Sequence, residues 1–221
     1  MRVGYIFAIA LTVSRLLSAA ESEQAGRWQP LGYQIPDVPV VDQDGHALRF
    51  YTDLVKNQTV AIQFIFTSCT TICTPLGATF HRLQDSVSGL GRVRLISISV
   101  DPERDRPEDL RKFSDRFGPK GHWTLVTGEP VEIERLLKAL RAFTQDKSTH
   151  SAMLLIGNDQ TNRWTRAYGL APASSLEELL REGAQGNKRY AALGHSPAHT
   201  GLRSECRARP KAIQRRPRGR P

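Results

Sequence analysis

The sequence predicts an α/β fold: a mixed β-sheet flanked by helices, with a β-hairpin at its N-terminal side. Three observations predict it. First, β-rich runs alternate with segments whose apolar residues recur at helical spacing, in the order β-β-β-α-β-α-β-α-β-β-α. Second, TVAIQFIF (59–66) and RVRLISISV (92–100) are nearly continuous in apolar and β-branched residues, as in strands covered on both faces. Third, turn signals at Asp44-Gly45 and at NDQT (158–161) each join two short apolar runs, as hairpins do.

Taken in order, the chain opens like an export signal. Arg2 supplies a positive start, Val3 to Val13 is almost wholly apolar, and Ser18 and Ala20 occupy the small-residue positions of a cleavage site. A membrane span needs about 20 apolar residues, and Arg15 interrupts this run too early. Residues 1–20 are therefore expected to be a cleaved signal peptide, with membrane association through an uncleaved N-terminus as the alternative. Either way the protein is expected in the periplasm or another extracytoplasmic compartment, where neighbouring thiols can form a disulfide. Residues 21–33 carry no sustained pattern and read as a lead-in to one domain over 34–186.

In that domain VPVVDQDGHALRF (38–50) is the first hairpin and TVAIQFIF the third strand, followed by a helix with Leu76, Phe80, Leu83 and Val87 on one face. RVRLISISV is closed by Asp101-Pro102, and Pro107 stands at a first helical position before Leu110, Phe113 and Phe117. WTLVTG (123–128) is a short strand, and an apolar stripe runs from Val131 to Phe143. AMLLIG (152–157) and RWTRAYG (163–169) form the last hairpin, and SSLEELLREG (174–183) reads as a capped closing helix. This order is compatible with a thioredoxin-like core bearing an N-terminal hairpin.

The formal net charge is +9, from 31 Lys+Arg and 22 Asp+Glu. Ten of the basic residues and only one acid lie in 187–221, so the first 186 residues hold 21 of each sign. The excess belongs to a proline-rich, low-complexity tail over 187–221 that is expected to be disordered. A neutral body speaks against nucleic acid as a partner. Cys206, alone in that tail, is assigned no function.

The chemistry is concentrated in FTSCTTICTP (66–75), where Cys69 and Cys73 follow directly on the third strand. Residues i and i+4 share a helix face, with Cβ atoms about 5–6 Å apart. At that spacing two thiolates can close a disulfide or clasp one soft metal ion, and spacing alone does not choose between them. A metal would need a third ligand, for which histidine is the usual residue. His46 falls in the first hairpin, His81 on a helix beside Phe80, and His195 and His199 in the tail; each reads as solvated or packed. His150 stands immediately before the AMLLIG strand, whose leading loop a thioredoxin-like sheet would bring against the cysteine turn. No proline occurs between Pro130 and Pro172, although thioredoxins carry one in that loop. A Cys-Cys-His set suits Cu(I), Cu(II) or zinc.

FIFTSCTTIC, SVDPERDRPEDL and THSAMLLIG, in this order and spacing, resemble the Sco/SenC family of copper-binding, thioredoxin-fold proteins over about residues 34–183. The resemblance implies that Cys69, Cys73 and His150 are copper ligands and that Cys69 and Cys73 also form a redox pair. It implies a copper chaperone that delivers copper to, or reduces the thiols of, the dinuclear copper site of cytochrome c oxidase. Its partners would then be the copper-bearing oxidase subunit and a copper donor or thiol reductant. Asp101, Asp105 and Pro107 match the family's acidic loop, with Asp101 expected to cap the following helix rather than dock a partner. Thr70 and Thr74 stand where the family often has proline, and Thr149 where it commonly has aspartate. Loss of that carboxylate removes a negative charge beside the metal.

Three rival readings use the same cysteines. A metal-free thiol-disulfide reductase needs only the pair. A peroxiredoxin-like peroxidase would use Cys73 as nucleophile with Thr70 as its helper. An inert structural disulfide would close too short a loop to contribute much stability.

Overall fold

Among the residues described by the computed structural model, 27–118 and 121–192, seven strands form one mixed sheet in the order β2-β1-β5-β4-β3-β6-β7. The strands are β1 (Pro39–Asp42), β2 (Ala47–Arg49), β3 (Thr59–Ile65), β4 (Val93–Ser99), β5 (Trp123–Thr127), β6 (Met153–Asn158) and β7 (Arg163–Tyr168). Four α-helices are described with them: α1 (Cys73–Val87), α2 (Pro107–Asp115), α3 (Pro130–Ala139) and α4 (Ala173–Ala192). The predicted signal peptide and the tail beyond Ala192, including Cys206, His195 and His199, lie outside the described residues.

The strand pattern has a direct physical reading. Val60, Ile62 and Phe64 of β3, with Ile96 and Ile98 of β4, face a cluster built with α3 residues Ile133, Leu136 and Leu137. Ala61 and Ile65, with Val93 and Leu95, face the opposite cluster, which holds Phe80 and Leu83 of α1, Leu110 and Phe113 of α2, and Leu176 and Leu180 of α4. Successive strand residues point to opposite faces, so a strand covered on both faces must be apolar throughout. Helices on both sides of the sheet are thus a consequence of the runs at 59–66 and 92–100.

Register places the site. β3 and β4 run parallel from Thr59↔Val93 to Ile65↔Ser99, so their C-terminal ends emerge side by side. β6 runs antiparallel to β3, with Ile62 opposite Leu155 and Thr59 opposite Asn158. The start of β6 therefore lies at the same end of the sheet as the end of β3. The turns after β3 and β4 and the loop before β6 converge there.

Four local features differ from the sequence reading. Phe50–Val55 forms a π-helical segment that buries Phe50, Leu54 and Val55, a short element without a period long enough to read. The stripe read over Val131 to Phe143 is buried at Ile133, Leu136, Leu137 and Leu140; α3 ends at Ala139, Phe143 beyond it is 38% exposed, and Val131 in its first turn is 72% exposed. α4 begins at Ala173, so Ser174 and Ser175 lie inside its first turn rather than ahead of it. α4 also runs to Ala192, past residue 186.

Candidate metal centre

The cysteine turn begins where β3 ends at Ile65. Cys73 is the first residue of α1, but Cys69 is not helical, which corrects the expectation that the pair shares a helix face. The thiols meet by another route. The Cys73 backbone N–H donates to Cys69 Sγ at 3.3 Å, so the sulfur takes one of the N–H groups that a helix start leaves unpaired. Thr71 Oγ1 lies 3.7 Å from the same sulfur. Both cysteines are free thiols and buried, Cys73 completely.

Their environments separate them chemically. Burial acts to raise the Cys69 thiol, but hydrogen bonds from the Cys73 thiol and backbone, and from the Thr71 backbone and hydroxyl, outweigh it and hold Cys69 below the ordinary value of 9.0. Burial, reinforced by the hydrogen bond to Cys69, pushes the Cys73 thiol strongly up. Cys69 therefore has the thiolate character of the pair.

His150 reaches the thiols from the loop before β6. Its Nε2 lies 3.8 Å from Cys73 Sγ, and its Nδ1 lies 2.8 Å from the Lys147 carbonyl oxygen. A neutral imidazole with its proton on Nδ1 donates to that carbonyl and turns the Nε2 lone pair toward the sulfur. The Phe66 ring meets the imidazole edge-on, with centroids 5.4 Å apart and planes at 71°. His150 is only 5% exposed. The structure thus places Cys73 against both of the other residues singled out from sequence, Cys69 and His150. His46 instead pairs with Asp42 in the first hairpin, Nδ1 to Oδ2 at 3.1 Å, where Arg111 also pairs with Asp44.

Asp101 does not cap α2, which corrects that expectation; the residue ahead of α2 is Arg106, whose N–H donates to the Asp109 carboxylate. Asp101 pairs with Lys147 at one side of an open groove of about 470 Å3 between the 101–104 turn and α3. Asp105 lies beneath the cysteine turn, 2% exposed, and burial raises its carboxyl despite hydrogen bonds from Ser99 and Thr67. Sequence reasoning assigned no role to Thr67 and Ser99, although both lie within the FIFTSCTTIC and SVDPERDRPEDL motifs, nor to Lys147, which lies in none. The four-residue spacing of Asp101 and Asp105 was the visible signal.

A peroxidase centred on Cys73 fits this geometry poorly, because Cys73 is the fully buried, raised thiol and Thr70 is exposed. Two sulfurs and an imidazole nitrogen buried at one end of the sheet are a soft donor set, suited to copper or zinc and to thiol exchange.

Fold and site together define a thioredoxin-like α/β protein with a buried thiol–imidazole cluster. The chain belongs to the SCO1/SenC family, whose family model matches residues 37–181. It is 34% identical over 140 residues to the SCO1 protein homolog of Bacillus subtilis, covering 59% of this chain and 72% of that one. It also matches the SCO2-like protein of Rickettsia felis, 28% identical over 111 residues, which is 48% of this chain and about half (51%) of that relative's length. Among solved structures, BsSco, a member of the Sco family of cytochrome c oxidase assembly proteins, is 27% identical with a TM-score of 0.60 over 71% of this chain and 96% of that one. Bradyrhizobium japonicum ScoI with copper bound is 25% identical with a TM-score of 0.54 over 69% and 96%.

Proposed function

We propose that the reduced protein binds copper through Cys69 Sγ, Cys73 Sγ and His150 Nε2, and serves the assembly of the dinuclear copper site of cytochrome c oxidase in an extracytoplasmic compartment. The observation that carries this reading is the 3.8 Å approach of His150 Nε2 to Cys73 Sγ, with the imidazole held from behind by the Lys147 carbonyl. A plain dithiol enzyme has no need of an oriented nitrogen donor there. Copper bound in the ScoI structure, and the oxidase-assembly role of the family to which BsSco belongs, support the same cargo and client. The signal-like pattern of residues 1–20 supports export. Its partners are then the copper-bearing oxidase subunit and a copper donor or thiol reductant.

Reduction of the client's thiols is the second reading, favoured by the inequality of the cysteines. Cys69 attacks a client disulfide and releases one client sulfur; Cys73 then attacks Cys69 and releases the other. The client gains two electrons and two protons, and the pair is left as a disulfide.

The test is an anaerobic titration of the reduced protein with Cu(I) and Cu(II), set against His150→Ala. One equivalent of copper is expected in the parent. In His150→Ala, Cu(II) affinity is expected to fall by about 100-fold, whereas two thiolates still hold Cu(I). Equal binding of both copper states by parent and variant would remove His150 from the site and leave the metal-free reductase.

A further inference from the structure

We propose that the turn Asp101–Asp105 is a bracket that sets the spacing between the two halves of the site, with Asp105 holding the cysteine turn and Asp101 holding the histidine loop. The metal arm of this inference rests on the copper reading above; the geometric arm does not.

Both aspartates are nearly covered, 8% exposed at Asp101 and 2% at Asp105, so neither is placed to dock a partner. Asp105 points toward the thiols. Its carboxylate accepts from the Thr67 hydroxyl at 2.6 Å, and the Thr67 backbone N–H lies 3.2 Å from each of its oxygens. Thr67 is two residues ahead of Cys69, so these bonds fix where the cysteine turn leaves β3. Asp101 points the other way, to the Lys147 ammonium. The carbonyl of that same lysine receives His150 Nδ1, and its Nζ lies 5.6 Å from the centroid of Phe66, the ring packed on His150.

The two arms share one rigid base. The N–H groups of Arg104 and Asp105 donate to the Asp101 carbonyl at 3.0 and 2.9 Å. Ser99 Oγ donates to the Asp105 carboxylate at 2.6 Å and accepts from the Asp101 N–H at 3.0 Å. A four-residue spacing in a closed turn lets one side chain reach each half of the donor set. Asp101 and Asp105 are therefore positioning residues: ligand geometry depends on second partners that orient the donors.

The arms should fail separately. In Lys147→Met and Asp101→Asn, the 15N spectrum of His150 in the metal-free reduced protein is expected to change from one Nδ1-protonated tautomer to a mixture. Cu(II) affinity should fall about tenfold or more, with Cu(I) affinity and the thiol reduction potential unchanged; Lys147→Arg should restore the parent spectrum. In Asp105→Asn, or in Thr67→Ala should that variant not fold, the thiol reduction potential and Cu(I) affinity should shift while the His150 tautomer stays as in the parent.

A parent-like His150 spectrum in Lys147→Met would overturn the proposal, as would variants of both arms moving both readouts together. Absence of copper uptake by the parent would defeat the copper reading alone, because the tautomer and the thiol potential still decide the bracket.

Discussion

The two thiols sit one helix start apart yet differ in kind. Cys69 Sγ receives the N–H of the residue that opens α1, and its value lies below 9.0; Cys73 is fully enclosed and its value lies well above. Timed alkylation of the reduced protein at pH 7, mapped by mass spectrometry, should modify Cys69 roughly tenfold or more faster than Cys73. Faster labelling of Cys73 would contradict the assignment. The signs for stability are opposite. The lowered Cys69 contributes stability that is complete above 9.0 and lost as pH falls through its folded value; the raised Cys73 contributes below 9.0 and loses its share as pH rises through its folded value. Cys73 thus carries its proton throughout the neutral range, and a metal must displace it. Copper affinity of the reduced protein should rise by about tenfold or more per pH unit between pH 6 and 8, because at least the Cys73 proton must leave, measured against a competing chelator. The cysteines and His150 were legible because their chemistry is carried by residue type. The roles of Lys147, Ser99 and Thr67 were not, because those side chains act only through what the fold places next to them.

At the scale of elements, the strand and helix order was readable because each burial pattern has its own period. The places where the reading slipped are short or terminal: the π-helical Phe50–Val55, the early end of α3 and the start of α4 ahead of its serines. In those stretches one or two neighbours outweigh local preference, as where Pro172 receives the Ser175 N–H at the start of α4. The hairpin β6–β7 shows the reverse case, a small residue required by its partner strand. Gly157 is paired with Trp164, and a Cβ on it would fall 1.9 Å from Trp164 Cε3. Trp164 is 3% exposed and cannot swing out without leaving the core. Gly157→Ala should therefore destabilise the fold by about 2–3 kcal/mol, read in chemical denaturation. A loss below about 0.5 kcal/mol would mean that the indole shifts freely.

For the whole molecule, the charge asymmetry separates body from tail. The excess positive charge lies beyond residue 186, and no proposed ligand does. α4 continues to Ala192, so a cut after Ala192 keeps the helix whole, whereas one after residue 186 removes its end. Truncation after Ala192 should leave the melting temperature within about 2 °C and copper stoichiometry unchanged. A larger fall would show that residues 193–221 pack on the body. Oxidation of Cys69 and Cys73 to a disulfide should abolish copper uptake by the intact chain, since the proposed site needs both thiolates. Copper bound equally by the oxidised protein would place the site elsewhere.

The sequence by itself determined the α/β class and the two-faced strands, and its residue types marked Cys69, Cys73 and His150 as the proposed donors. These follow from periodicity and side-chain chemistry, which are local properties. Only the tertiary structure decided how the donors meet. Cys69 lies outside the helix and meets Cys73 through a backbone N–H, the parallel register of β3 and β4 sets Asp105 under the cysteine turn, and the antiparallel β6 carries His150 to the same end of the sheet. Each of these depends on which strand neighbours which, and pairing between residues 38 to 99 positions apart, such as Thr67 with Asp105 or Thr59 with Asn158, has no local signature in the chain.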